Sequence, residues 1–238
     1  MLEMFAHGFM IRALIAAILM AVSCSAVSTF IVLRGLSFMG AGIAHAMLGG
    51  VSLAVLAGIN PLAGAAAFAV LLAFVAGYVG ERGGQRMDVA IGIFFAFGMA
   101  VGALSISLVQ EYTVQLWSII FGDILAISDE DLIFMALMTM VVLASIAIFF
   151  REFQYITFDM KAAEVSGINA RLYHYFMLIL IALSIVVSIK CVGILLVFAM
   201  ITAPAASALE YAHSMKSMLI LSIIFGVASA ITGLIISY

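Results

Sequence analysis

Leu132 to Phe150 reads LIFMALMTMVVLASIAIFF, nineteen residues without one charged side chain. Asp129-Glu130-Asp131 stands before the run and Arg151-Glu152 after it, so charge stops abruptly at both ends. As a helix, at about 1.5 Å per residue, such a run reaches about 28 Å, close to the thickness of a bilayer's hydrocarbon core. Working outward, the same reading recurs at 9–33, 43–59, 62–80, 89–109, 172–189, 191–209 and 217–237. Backbone polar groups find no water in lipid, and long unbroken apolar runs meet that constraint as helices. The sequence therefore predicts an all-α membrane protein of about eight transmembrane helices.

Composition agrees. The chain is 67% hydrophobic and 9% charged, whereas soluble domains carry about 25% charged residues. With eight spans placed, residues 1–238 form a single transmembrane domain, and catalytic or nucleotide-binding machinery has to come from another chain. The chain is thus not expected to be an enzyme. Cys24 and Cys191 both lie in apolar stretches and give no disulfide framework. Ala21-Val22-Ser23-Cys24 has a faint look of a lipoprotein cleavage site, but Glu3 precedes the lone Arg12 and the apolar run continues past Cys24. The first segment reads as a retained helix, not a signal peptide. Asn60-Pro61 marks a tight turn between the second and third spans, and Pro204 should kink the seventh.

Lys and Arg concentrate on the cytoplasmic side of membrane proteins. With the 151–171 loop inside, that side receives Arg34, Arg82, Arg86, Arg151, Lys161, Arg171 and Lys216, and the outer side only Arg12 and Lys190. Both termini then fall outside a cell membrane that the chain crosses many times. Among the acidic residues, Glu3, Glu111, Asp123, Asp129, Glu130 and Asp131 lie outside. Ser128 followed by Asp129-Glu130-Asp131 is a helix N-cap with a first turn that complements the helix dipole.

The 151–171 loop is longer than a connector needs. Within it Asp159 is a good N-cap, Ala162, Ala163 and Glu164 favour helix, and Gly167 is a natural stop. A short helix over about 159–167, flanked by Phe153, Tyr155 and Phe158, is expected on the cytoplasmic side. It is either an interfacial surface helix or a coupling helix seated in a cleft of a motor protein.

Inside the spans His45 stands out, because an intramembrane imidazole is costly unless paired or wetted. Ala41, His45, Gly49 and Ser52 share a helix face, and Ser37 extends it. Such a face either lets another helix approach closely, with the histidine hydrogen-bonded in the packing, or lines a narrow hydrated path where neutral imidazole can ligate a transition metal. Met20, Cys24 and the other methionines, 16 in all, are ordinary apolar filling. His7, His174 and His213 lack metal-ligand spacing.

Five blocks, in order, resemble the metal-ion permease family of ABC importers, the zinc- and manganese-uptake type. They are Leu33-Arg34-Gly35-Leu36-Ser37-Phe38-Met39-Gly40 running on through Ala44-His45-Ala46-Met47-Leu48-Gly49-Gly50; Asp88-Val89-Ala90-Ile91-Gly92-Ile93; Phe121-Gly122-Asp123-Ile124-Leu125; Phe158-Asp159 with Ala162, Ala163 and Gly167; and Val192-Gly193-Ile194-Leu195-Leu196-Val197 through Pro204-Ala205-Ala206. The resemblance implies a permease that pairs with a second copy, two cytoplasmic ATPase subunits that use ATP and Mg, and an extracytoplasmic metal-binding protein. It implies no cofactor bound by this chain and no nucleic-acid partner. It makes Asp159, Ala162, Ala163 and Gly167 the coupling element and His45 a transient ligand for a divalent metal ion, zinc first, manganese or iron next. The family's usual aspartate one turn before the histidine is Ala41 here, and its usual proline is Gly49; losing the carboxylate removes an oxygen ligand that manganese and iron favour. The competing class is a metal channel or secondary transporter without an ATPase, but the paired intramembrane carboxylates of a proton-coupled carrier are missing from the spans. An intramembrane metalloenzyme would need a His-Glu-x-x-His pattern, which the sequence lacks.

Overall fold

Each apolar run forms helix, as the bilayer requires. A computed structural model describes residues 8–82, 87–108 and 120–237. Arg86, Glu3, Glu111, His7 and position 109 at the end of the fourth expected run lie outside them. The helices are α1 (Gly8–Leu33), α2 (Ser37–Leu56), α3 (Pro61–Arg82), α4 (Met87–Leu108), α5 (Asp129–Ile148), α6 (Phe150–Phe158), α7 (Met160–Val165), α8 (Ala170–Leu209) and α9 (Met215–Ser237). A 3-10 turn covers Ile124–Ala126. Among the described residues there is no strand.

Among the described residues seven helices are long and apolar enough to cross a membrane: α1 to α5, α8 and α9. The longest, α8, has 40 residues, which as a straight rod would reach about 60 Å, two bilayer thicknesses. It is not straight. Gly193 has φ 69° and ψ 175°, outside helical geometry. Near its start His174 meets Arg34 at one end of α1. At its middle Lys190 pairs with Asp131, at the end of the bundle where Arg12 meets Asp129. Its last turns, at Ala205 and Ala208, pack with Val32 and Leu33, back at the first end. The chain therefore reverses at Gly193, and α8 makes two passes, as the separate runs 172–189 and 191–209 require. The non-helical dihedrals fall at Gly193, and Pro204 sits buried within the second arm.

Other boundaries move for local reasons. α2 begins at Ser37, six residues before the expected 43, because Ser37, Gly40 and Gly42 look loop-like in sequence but are small for packing. Gly40 touches Ile201 and Gly42 touches Ile91. Asn60 accepts from Leu62 N–H at 2.9 Å, capping α3 with Pro61 as its first residue. Ser128 and Asp131 form the expected reciprocal cap of α5.

α1 and α8 form the centre of the bundle. Between them Ser23 donates to Ser184 at 3.0 Å and Cys24 meets Ser188 at 3.3 Å, while Ser222 of α9 donates to the Ser25 carbonyl at 2.9 Å. Side-chain hydroxyls in hydrocarbon can be satisfied across helices in this way, although the buried hydroxyls of Ser25, Ser28 and Thr29 on α1 have no hydrogen-bond partner among the described residues. Large apolar side chains on the outer helices, among them Ile93, Leu104, Met140 and Ile236, are exposed on the surface of the bundle. One end of the bundle carries Arg34, Lys161, Lys216 and the pair α6–α7; the other carries Asp123, Asp129, Asp131, Arg12 and Lys190. We call these the basic and acidic ends. α1 begins and α9 ends at the acidic end.

Candidate functional site

Glycine sets α2 against its neighbours. A Cβ on Gly49 would lie 2.7 Å from the Gly98 carbonyl oxygen of α4, and one on Gly50 would lie 2.5 Å from the Gly64 carbonyl oxygen of α3. Backbone meets backbone at both places, so α2 is clamped between α3 and α4. The stripe expected from sequence divides here. Gly49 and Ser52 are buried, and Ser52 returns its hydroxyl to the Leu48 carbonyl at 2.7 Å. Ser37, Ala41, His45 and Leu48 are half-buried and Phe38 is exposed. They form a partly exposed strip of α2 among the described residues.

His45 stands on that strip, the ninth residue of the 20 in α2, about 12 Å along the helix axis from Ser37. Its Nδ1 lies 2.9 Å from the Ala41 carbonyl oxygen. A carbonyl only accepts, so Nδ1 carries the proton and the lone pair of the neutral ring is on Nε2. Backbone capture of one ring nitrogen is how metal-ligating histidines are commonly oriented. The ring packs on Phe95 of α4, centroids 5.3 Å apart. Among the described residues no three His, Cys, Asp or Glu side chains converge. His45 offers one ligand, and Ala41 adds only the carbonyl that orients it.

At the basic end the expected short helix is α7. Asp159 caps it, accepting from Lys161 N–H at 2.8 Å and Ala162 N–H at 3.1 Å. Gly167, at φ 81°, ends it, with Gly167 N–H bonded to the Glu164 carbonyl and Ile168 N–H to the Ala163 carbonyl. That is a full Schellman stop. The sequence missed α6, which precedes it. Its aromatic residues look like a flank until their period shows: Phe153 and Ile156 are buried while Tyr155 and Phe158 are exposed. Asp159 and Ala162 line a groove with Arg151, Gln154, Tyr155 and Phe158. Ala163 differs from the other residues of the expected docking set. Its side chain is wholly buried, so it seats α7 on the bundle and offers no surface. Asp159, Ala162 and Gly167 are exposed, with Val165 beside them.

Sequence reasoning passed over Arg34 and His174, one as an orienting charge, the other as a histidine without ligand spacing. Arg34 Nη1 lies 2.8 Å from His174 Nδ1, and Nη2 donates to Met160 Sδ at 3.3 Å. Burial pulls the guanidinium down to about 10, leaving it charged at neutral pH. At the acidic end, the segments Phe121-Gly122-Asp123 and Val192-Gly193 meet: Asp123 N–H bonds the Lys190 carbonyl at 3.0 Å, and Gly122 and Gly193 touch backbone to backbone.

Residues 6–238 match a family described as the ABC 3 transport family. A manganese transport system membrane protein, MntC, from Listeria innocua is 38% identical over 232 residues, 98% of this chain and 82% of that protein. A probable iron transport system membrane protein from Haemophilus influenzae is 35% identical over 238 residues, covering 100% of this chain and 88% of the relative. The solved structure of PsaBC from Streptococcus pneumoniae in complex with Fab superposes with a TM-score of 0.86 at 37% identity, covering 98% of this chain and 83% of that one.

Proposed function

The chain belongs to the ABC 3 transport family and is the membrane permease subunit of a metal-ion ABC importer; from that premise we propose that its cargo is a first-row divalent cation, manganese before iron or zinc, passed along the partly exposed strip of α2. The names borne by the relatives favour manganese and iron over the zinc expected first from sequence. A single imidazole with no neighbouring carboxylate discriminates weakly among these ions, so zinc competes. Weak ligation suits transport, since an ion must leave as readily as it enters.

One observation carries the reading. On the partly exposed strip of α2 His45 stands half-buried, with Nδ1 held by Ala41 and, among the described residues, no partner at Nε2. A second copy of the permease facing this strip would bring two Nε2 atoms to one axis. Two ATPase subunits, which carry ATP and Mg, would dock on the groove of α6 and α7. The basic end is then cytoplasmic, and the acidic end receives ions from an extracytoplasmic binding protein.

The test is His45→Gln in proteoliposomes holding the permease and its ATPase. An amide can still donate to the Ala41 carbonyl but ligates transition metals poorly. Disturbing even the groups that orient a metal ligand commonly costs about 10–100-fold, so loss of the ligand itself should lower manganese uptake by at least tenfold, roughly, with assembly unchanged. Wild-type uptake by a well-assembled Gln variant would refute the ligand role. A channel working without an ATPase would instead pass manganese in the absence of ATP.

A further inference from the structure

A charge taken out of water is normally matched by an opposite one. Arg34 is half-buried, and among the described residues no carboxylate oxygen lies within 4.0 Å of it. Its partners are neutral. Guanidinium has no lone pair to offer, so at 2.8 Å His174 Nδ1 must be the acceptor and the proton of that ring sits on Nε2. The second partner is the thioether of Met160, the first residue of α7.

The backbone around Arg34 is rigid. Leu36 N–H bonds the Ile31 carbonyl at 2.9 Å and Gly35 N–H the Val32 carbonyl at 3.1 Å, a Schellman stop on α1 with Gly35 at φ 67°. α2 begins at Ser37. Arg34 is thus fixed to α1 and to the start of α2, while its side chain grips the start of α7 and the first turns of α8. A charged hydrogen bond is stronger and more directional than apolar contact, which an unpaired arginine in mere packing would not need.

We propose that Arg34 is a positioning residue that carries movement of the docking helix α7 to α2, and so to His45. This rests on the reading of α7 as the ATPase contact. When an ATPase shifts α7, the Met160 contact moves the guanidinium, and the rigid turn delivers that motion to α2 as a body. His174, buried in α8, is the fixed bearing on which the guanidinium turns.

The experiment uses the full permease–ATPase complex in proteoliposomes, reading assembly, ATP hydrolysis and manganese uptake. Arg34→Met keeps side-chain length and loses both grips; His174→Gln keeps an acceptor; His174→Leu does not. Arg34→Met and His174→Leu should assemble and hydrolyse ATP, yet move at least about fivefold less manganese per ATP, the lower range of coupling between sites. His174→Gln should stay near wild type, and the double variant Arg34→Met/His174→Leu should be no worse than either alone. Wild-type uptake per ATP in Arg34→Met, or equal defects in the Gln and Leu variants, would overturn the proposal. Should Arg34→Met fail to assemble, spin labels at Lys161→Cys and Ser37→Cys decide: α7 and α2 should move together between nucleotide-free and ATP-bound states, and independent movement would overturn it. A wild-type complex that takes up no manganese with ATP would instead sink the importer reading and leave the linkage to the label distances.

Discussion

Gly98→Ala on α4 should loosen the bundle where Gly92→Ala does not. A Cβ at Gly98 would stand 2.6 Å from Ala46 Cα and 2.7 Å from both the Cβ and the carbonyl oxygen of Ala46. Ordinary contact between carbons is about 3.5–4.0 Å, so α2 and α4 would have to part by about 1 Å. Two of the three obstructing atoms are backbone, and no rotamer change relieves them. Overpacking of this kind costs about 1–3 kcal/mol. Gly92 supplies the matched control, because a Cβ there meets nothing within 4 Å. Both substitutions gain the same helix propensity, about 1 kcal/mol in a soluble helix. Their difference therefore isolates the contact.

The same displacement reaches the candidate site. His45 packs on Phe95, between the contact of Gly42 with Ile91 and that of Gly98 with Ala46. Parting the helices there moves imidazole and phenyl relative to each other. A misplacement of about 1 Å can cost reacting groups about 100-fold; a passing ligand is more tolerant, and a loss of uptake of about tenfold is expected within that bound. Denaturant unfolding in bicelles gives the stability difference, and manganese uptake in proteoliposomes the functional one. Equal stability and equal uptake in the two variants would refute both the clamp and its link to His45.

Three further substitutions separate the remaining assignments. Ala162→Arg should abolish co-purification with the ATPase while leaving the permease folded, whereas Ala163→Arg should lower the yield of monodisperse permease itself, since it puts a charge where there is no exposed surface; size-exclusion profiles with and without the ATPase tell them apart. Ala41→Asp places a carboxylate one turn from His45 and should tighten manganese relative to zinc by about tenfold or more, oxygen ligands favouring the harder ion, as read by competition in uptake. Gly193→Ala forces a Cβ to within 2.4 Å of Gly122 N and the Ile120 carbonyl oxygen at φ 69°; strain of about 1–3 kcal/mol from the backbone alone, with the clash added, should sharply cut folded yield.

What the sequence conveys well is whatever the bilayer dictates, because lipid reads length and polarity much as inspection does. The run 132–150 needs no neighbour to be recognised, and neither do Asp159 and Gly167, whose capping bonds lie within five residues of themselves. The reversal inside α8 is legible too, since Lys190 interrupts the apolar run beside it. What stays hidden depends on partners distant in the chain. Nothing local tells that Gly49 meets the Gly98 backbone while His45, one turn away, meets the Phe95 ring and stays half-buried; the difference is set by how α4 lies against α2. Ala162 and Ala163 are the same residue type in one helix, yet one lines a groove and the other is wholly buried; the choice is made by where α6 and α8 hold the helix. Arg34 shows the limit most plainly. Its charge is visible and enters the count that sets the expected orientation, but its grip on His174 and Met160 spans 140 and 126 residues. Charge counting places an arginine on a side of the membrane, and only the packed bundle can assign it a lever.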